Sequence, residues 1–210
     1  MNIHFSDQQY KQDIFKKLNY NFKKGRKILD IGCGNGADAE VFITKYHLIT
    51  HGLDVYKHKK IRYLDKLKFR LGSIYQLPYK DSEFDYVYTH DTLHHIDESN
   101  QNFQNHTKGL QEMRRVCKRS GFIIIIEANR YNPLFFPHMV LMLKHNHFTQ
   151  QYFKLLIQTI FEEPSFRFFE AHCYPCVALK FFKLYERFME ACRLCRPFMA
   201  YNVAIIRNSK

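Results

Sequence analysis

The sequence predicts an α/β fold, a mostly parallel sheet with helices on both faces, and three observations carry that prediction. Strand-like and helical segments alternate along the chain in the rhythm of βαβ units. A glycine cluster stands between an apolar strand run and a helix. One run, Phe122-Ile123-Ile124-Ile125-Ile126, is apolar on both faces, as a central parallel strand covered by helices must be. Composition agrees with this reading. Among 210 residues, 46% hydrophobic, 16% aromatic and 25% charged describe a globular chain and exclude a disordered, collagen-like or coiled-coil one. Gly 8 and Pro 6 are too few for a β-sandwich or barrel with its many tight turns.

Taken in order, Asp7 to Leu18 places Tyr10, Ile14, Phe15 and Leu18 at helical spacing with a lysine-rich outer face, an amphipathic cover. Lys27 to Ile31 is a strand, and Ala37 to Lys45 the helix after its tight turn. A second strand runs from Leu48 to Leu53 and ends in Asp54-Val55. A basic stretch from Tyr56 to Lys66 leads to a third at Phe69-Arg70-Leu71. Phe84 to Thr89 is the fourth strand, Gln104 to Cys117 a helix with Leu110, Met113 and Val116 on one face, and Phe122 to Ile126 the fifth strand. Phe148 to Phe161 reads as a helix, Phe166 to Ala171 as a strand, Val177 to Leu194 as an amphipathic helix and Tyr201 to Ile206 as the last strand. The stretches Arg130 to His147 and Cys173 to Pro197 exceed what a minimal sheet connection needs. Insertions of that kind at the carboxyl edge of a sheet build substrate pockets.

Gly32-Cys33-Gly34-Asn35-Gly36-Ala37 has the spacing G-x-G-x-x-G/A between strand and helix, which points to a nucleotide cofactor. Two cofactors fit such a loop: a dinucleotide with its pyrophosphate over the turn, and S-adenosylmethionine with its amino-acid end there. Asp30 separates them. A carboxylate just before the loop repels a pyrophosphate, but it can hold the ammonium of a methionine moiety while loop amides meet that moiety's carboxylate. Asp54, at the end of the second strand, suits the paired hydroxyls of a ribose in either cofactor.

Leu29-Asp30-Ile31-Gly32-Cys33-Gly34-Asn35-Gly36, then Leu77-Pro78-Tyr79-Lys80-Asp81-Ser82-Glu83-Phe84-Asp85, then Leu93-His94-His95-Ile96, with Asp54 after the first of these, resemble the motifs of the class I S-adenosylmethionine-dependent methyltransferases. The resemblance is to the type 11 branch that includes the ubiquinone and menaquinone biosynthesis enzymes. It covers Arg26 to Asn129 well and the remainder loosely, through Tyr201-Asn202-Val203. It implies a Rossmann-like, seven-stranded sheet with a reversed last strand. S-adenosylmethionine, leaving as S-adenosylhomocysteine, is implied to lie across the carboxyl ends of the first, second and fourth strands. The contacts implied are Asp30, Gly32, Cys33, Gly34, Asn35, Gly36, Asp54, Val55, Ser73, Ile74, Thr89 and His90. The chain departs from the pattern twice. Ser73 stands where many members carry an acid for the adenine amino group, and Arg119-Ser120-Gly121 replaces a Pro-Gly-Gly turn, with Gly121 expected where φ is positive. One domain is expected, with residues 1–25 a helical cover, 26–129 the cofactor core, 130–200 substrate-side insertions and 201–210 the last strand.

Methyl transfer from a sulfonium is an in-line displacement, so the enzyme contributes mainly alignment and exclusion of water. Where the acceptor is a hydroxyl or an acidic carbon, a histidine near neutral pKa serves as base. The resemblance places His90, His94 and His95 near the methyl group as catalytic candidates, against the plainer reading that they pack or hydrogen-bond beneath the cofactor. Glu127 and Asn129 are implied to orient an acceptor, and Tyr131 to close over it. The aromatic insertions, such as Pro133-Leu134-Phe135-Phe136-Pro137 and Phe181-Phe182, point to a small, apolar or lipid-like acceptor.

Three other readings compete: an RNA (tRNA) methyltransferase, a non-catalytic binding protein of the same fold, and a dehydrogenase, for which NADH would bind. The formal charge of +12 suits RNA, an anionic membrane or an acidic substrate. Its lysines and arginines, however, are spread over several segments with no arginine-rich tail. Leu179, Phe182, Leu184, Phe188 and Met189 with Lys180, Lys183 and Arg187 outline a basic amphipathic helix that could lie on a membrane, although a helix covering the sheet or pocket is the preferred reading.

Cys173-x-x-Cys176 and Cys192-x-x-Cys195 have the spacing of a four-cysteine zinc template. Neither pair carries the glycine of a metal knuckle and a helix separates them, so the expectation is reduced thiols beside the pocket and no metal. Met1 to Asp7 has no apolar core behind a basic start, which predicts no secretory leader and a cytoplasmic setting. No apolar run reaches the length of a membrane span.

Overall fold

A computed structural model describes residues 7–209, with side chains from Tyr10 onward. Residues 1–6, which include most of the stretch read for a leader, lie outside the described residues. The elements are α1 (Asp7–Leu18), β1 (Lys27–Ile31), α2 (Ala37–Thr44), β2 (Ile49–Asp54), β3 (Lys68–Leu71), β4 (Phe84–His90), α3 (Phe103–Val116), β5 (Cys117–Ala128), α4 (Gln150–Ile160), β6 (Ser165–Phe169), α5 (Leu179–Ala191) and β7 (Tyr201–Arg207). They build one seven-stranded sheet in the order β3-β2-β1-β4-β5-β7-β6. The first five strands are mutually parallel. β7 runs antiparallel between β5 and β6, the reversed strand that the sequence implied. β1 pairs with β2 on one side and β4 on the other, so the chain order reverses at its carboxyl end, where open α/β sheets form their ligand crevice.

Each sheet face carries its own core. On one, Leu110 and Met113 of α3 and Phe153, Leu156 and Ile157 of α4 pack against Val87, Ile123 and Ile125. On the other, Ile14, Phe15 and Leu18 of α1 and Phe42 of α2 cover Ile28, Tyr88, Ile124 and Ile126. Burying each such side chain contributes about 1.5–3 kcal/mol. Local chemistry starts the helices. Asn102 accepts from the amides of Gln104 and Asn105 ahead of α3, and Thr149 accepts from that of Tyr152 ahead of α4. Between β2 and β3 the basic stretch forms only a 3₁₀ turn at Lys59–Tyr63.

Two local readings are corrected. The fifth strand begins at Cys117, and the Arg119-Ser120-Gly121 turn is an irregularity inside it where the β4 register shifts. The positive φ there, 61°, belongs to Ser120 and not to Gly121. Gly121 is needed for a different reason: a Cβ would lie 2.9 Å from the carbonyl oxygens of Asp85 and Lys118 and from Cys117 Sγ. The second correction concerns α5, which docks on α1 through ion pairs instead of covering the sheet. Lys17 pairs with Glu186 and Glu190, and Lys183 with Asp13 and Glu186.

Gly121→Ala forces backbone apart at the β4–β5 junction and is expected to cost about 1–3 kcal/mol. Urea denaturation should show a lower midpoint at unchanged slope.

Candidate active site

The loop between β1 and α2 is tied down from below. The amides of Gly32 and Cys33 donate to the Leu53 carbonyl at 2.8 and 3.2 Å, and Gly36 N–H donates to Cys33 at 2.8 Å. Gly34 N–H donates to Asp54 Oδ2 at 2.8 Å, and Asn35 Oδ1 accepts from Ala37 N–H at 3.0 Å. These amides, expected to meet a cofactor carboxylate, mostly hold the loop itself. A Cβ on Gly32 would fall 2.2 Å from Thr92 Oγ1, so this glycine admits the chain leaving β4. Gly34, at φ 50°, has nothing nearer than 4.0 Å where a Cβ would project, and there the loop leaves room for a ligand.

Behind the loop lies a buried acidic group. Asp30 is 2% exposed and its Oδ2 has no hydrogen-bond partner. Burial, together with the neighbouring Asp38 and Asp54 charges, pushes its pKa well above the usual carboxylate range. Asp38 Oδ2 accepts from Tyr88 at 3.0 Å and meets His90 Nδ1 at 2.7 Å. Burial alone would lower the His90 pKa, but Asp38 and then Asp91 raise it to about 9. At neutral pH His90 is therefore an imidazolium paired with Asp38, which does not suit it to the base role expected of it.

Over the loop opens a cavity of about 560 Å³, walled by Gly32, Gly34, Asp54, Ser73, Asp91 and His95 among others. Val55 and Ile74 also line it. Asp54 Oδ1 accepts weakly from Tyr56 N–H at 3.3 Å, and Ser73 Oγ accepts from Tyr75 N–H at the same distance. A smaller recess of about 220 Å³ lies between the loop and α1, with Tyr10, Lys11, Cys33, Asn35, Asp38 and His90 on its walls. Thr89, expected among the cofactor contacts, lines neither. It is fully buried and its hydroxyl donates to the Ile31 carbonyl at 3.1 Å.

A third chamber, about 210 Å³, is lined by Tyr10, Phe135, Met139, His147, His172 and Tyr201, and it shares Asp91 with the large cavity. Asp91 is held at φ 49°. Its N–H donates to Ile126, its Oδ1 accepts from Ala128 N–H at 2.8 Å, and its Oδ2 from Tyr201 OH at 3.2 Å. Strain in a non-glycine residue over-determined in this way is a mark of functional sites. Tyr10 OH in turn lies 2.5 Å from Tyr201 OH. Asp38, Asp91, Tyr10, Tyr201, His147 and His172 are site residues that the sequence reading missed. Only Asp38, in the first turn after the glycine loop, carried a local signal.

The residues expected to orient the acceptor are engaged elsewhere. Glu127 is fully buried and accepts from the amides of Thr92 and Leu93 while pairing with His94 Nδ1 at 2.7 Å. Asn129 Nδ2 donates to the carbonyls of Pro197 and Met199. Tyr131 is exposed, packs against Phe136 and does not line the chamber. His94 is buried against Glu127, whereas His95 is half-exposed beside Glu98. None of the six cysteines is in a disulfide, and among the described residues no metal-capable grouping includes one.

A crevice at the carboxyl end of β1, an acid before a glycine turn and an acid after β2 define the class I, Rossmann-like S-adenosylmethionine-dependent methyltransferases. Residues 29–125 match the model of the methyltransferase domain family, and this match, together with the relatives and the fold, supports a class I S-adenosylmethionine-dependent methyltransferase. An uncharacterized methyltransferase of Schizosaccharomyces pombe is 31% identical over 131 residues, covering 55% of this chain and 44% of that protein, so the chain spans about half the length of this relative. Demethylmenaquinone methyltransferase of Geobacillus kaustophilus is 27% identical over 169 residues, covering 75% of this chain and 67% of that enzyme. In fold, a SAM-dependent methyltransferase from Archaeoglobus fulgidus superposes with a TM-score of 0.68 at 16% identity, covering 95% of this chain and 94% of that one.

Replacing Asp38 with Asn removes the largest influence that raises the His90 pKa, which should fall from about 9 in an NMR titration. The raised native value carries a stability consequence. The pair's contribution is complete below about pH 6.5 and is lost as pH rises through about 9, and Asp38→Asn should abolish that part of the decline in urea midpoint.

Proposed function

We propose that this chain transfers the methyl group of S-adenosylmethionine to a small, apolar or lipid-like acceptor received in the chamber beside Asp91. The observation that carries this reading is the meeting of two spaces at one residue: the cavity over the glycine loop and the chamber walled by Phe135, Met139 and Tyr201 both reach Asp91. The site fits the cofactor. The unpartnered, buried Asp30 Oδ2 favours a cation, which the cofactor's ammonium group would supply, and Gly34 leaves room above the turn. Asp54, with lone pairs remaining beyond its two amide contacts, is placed for a ribose, and the Ser73 hydroxyl for the adenine side. When bound, the cofactor supplies an electrophilic methyl and its own leaving group. The protein's part is alignment and the exclusion of water. Asp91, fixed by Ile126, Ala128 and Tyr201, sets the boundary between the two spaces, while the His90–Asp38 pair holds the floor of the recess without a net charge. The demethylmenaquinone enzyme among the relatives is named for a lipid-like acceptor, which supports the same substrate class here.

A lipid-like acceptor would come from a membrane surface, and the chemistry of the segments walling the chamber supports that reading. Among the described residues no helix is long and apolar enough to cross a membrane. Yet Val177, Phe181, Leu184 and Phe188 fall on one exposed stripe just beyond the chamber residue Cys173, with Phe181 69% and Phe188 63% exposed. Leu141, Met142 and Leu143 are exposed just after Met139. Lys180, Arg187 and Arg193 are exposed beside the stripe and suit an anionic lipid surface. This stripe differs from the one read in the sequence, because Met189 is buried and Phe182 stacks on Tyr174 at 4.5 Å.

Calorimetry should show S-adenosylhomocysteine binding and no NADH binding, and Asp54→Ala should weaken it at least about tenfold, or about 1.4 kcal/mol. Methyl transfer to RNA in place of apolar acceptors, with labelled cofactor, would refute the substrate class. Double replacement of Phe181 and Phe188 by Asp should reduce sedimentation with phosphatidylglycerol vesicles about tenfold or more at unchanged cofactor affinity.

A further inference from the structure

Four imidazoles gather at the rim between the cofactor cavity and the chamber. His94 and His95 leave the end of β4, and His145 and His147 come from the insertion before α4. One nitrogen or other ligand atom from each of His94, His95 and His145 lies within 4.8 Å of those of the other two. The His94 and His95 rings are 4.1 Å apart between centroids, His94 and His147 4.3 Å, and His145 and His147 5.9 Å.

Each of the first three rings is backed by a carboxylate at the same atom. Glu127 Oε2 holds His94 Nδ1 at 2.7 Å, Glu98 Oε2 holds His95 Nδ1 at 2.9 Å, and Glu98 Oε1 holds His145 Nδ1 at 3.1 Å. A carboxylate on Nδ1 fixes the tautomer that leaves the lone pair on Nε2 and raises its basicity, the outer arrangement that metal-binding histidines use. Glu98 is itself anchored, accepting from Asn146 N–H at its side chain and from Asn146 Nδ2 at its carbonyl. His147 adds an independent sign. It is 3% exposed, and neither ring nitrogen has a hydrogen-bond partner. A buried polar group left unsatisfied on both sides is costly unless something meets it.

We propose that His94, His95 and His145 bind one divalent transition-metal ion of the zinc type, with the buried ring of His147 packed beside the site. Imidazoles without thiolates suit zinc, cobalt, nickel or copper rather than magnesium or calcium. His95 lines the cofactor cavity and His147 the chamber, so the ion would stand at the wall dividing them. Asp91 is grouped with His94 and Glu127 in a second set of convergent ligand atoms.

The test uses the full chain, stripped with a chelator and titrated with Co²⁺ and Zn²⁺. One equivalent should bind, Co²⁺ should show visible absorption bands of a nitrogen-ligated site, and Zn²⁺ should displace it. His145→Ala should abolish those bands. Glu98→Gln, which leaves every ligand in place, should weaken binding about 10–100-fold. Serine at Cys176, Cys192 and Cys195 should change neither stoichiometry nor spectrum. S-adenosylhomocysteine affinity measured on each variant reports folding and keeps this site separate from the methyl-transfer reading. The proposal is overturned by no binding up to millimolar metal in protein that still binds S-adenosylhomocysteine, or by binding that survives His145→Ala and is lost with the cysteines.

Discussion

The approach of Thr92 to Gly32 is the constraint around which the site is arranged. Any side chain at position 32 would overlap the Thr92 hydroxyl, so the turn after β1 and the chain leaving β4 can close on each other only through that glycine. Thr92 and Leu93 then give their amides to Glu127 at the end of β5, and Glu127 fixes His94. One contact between two loops thus passes into the floor of the third strand end and into the orientation of a histidine. A glycine loop read only as a place for a ligand accounts for Gly34 but leaves out half of this function.

Charge is distributed in two layers. The excess of basic residues sits on connecting segments and helix faces, whereas the crevice is lined by Asp38, Asp54 and Asp91, with Asp30 buried behind the loop. His90, set into the floor of the recess, is paired with Asp38. The acidic interior selects for a cationic ligand at short range, where screening is weak, while the basic exterior acts at longer range on whatever the protein approaches.

The strand sequence and the glycine turn could be read from local pattern, namely β-branched runs, a glycine spacing and acids at strand ends, whereas the reversed strand followed from the family resemblance alone. What failed to show was the use of side chains whose partners come from distant segments. Glu127 and Asn129 stand where an acceptor ligand would be expected, yet backbone amides and carbonyls that reach them from residues 92, 93, 197 and 199 take up their hydrogen bonds. Ser120 and Asp91 both take positive φ, and although aspartate tolerates that region, tertiary closure selects which positions adopt it. The chamber is likewise assembled from α1, the insertion after β5 and the start of β7, segments joined only by folding.

The placement of β7 has a consequence in time. Among the described residues β6 pairs with β7 alone, so when residues 165–169 leave the ribosome their partner strand is not present until residues 201–207 arrive and slot in against β5. Such late, long-range closure is slow and keeps an unpaired edge open in the nascent chain. Tyr201, the first residue of that strand, is also the clamp on Asp91. Synthesis therefore delivers the crevice over the glycine loop first and the chamber walled by Tyr201 last.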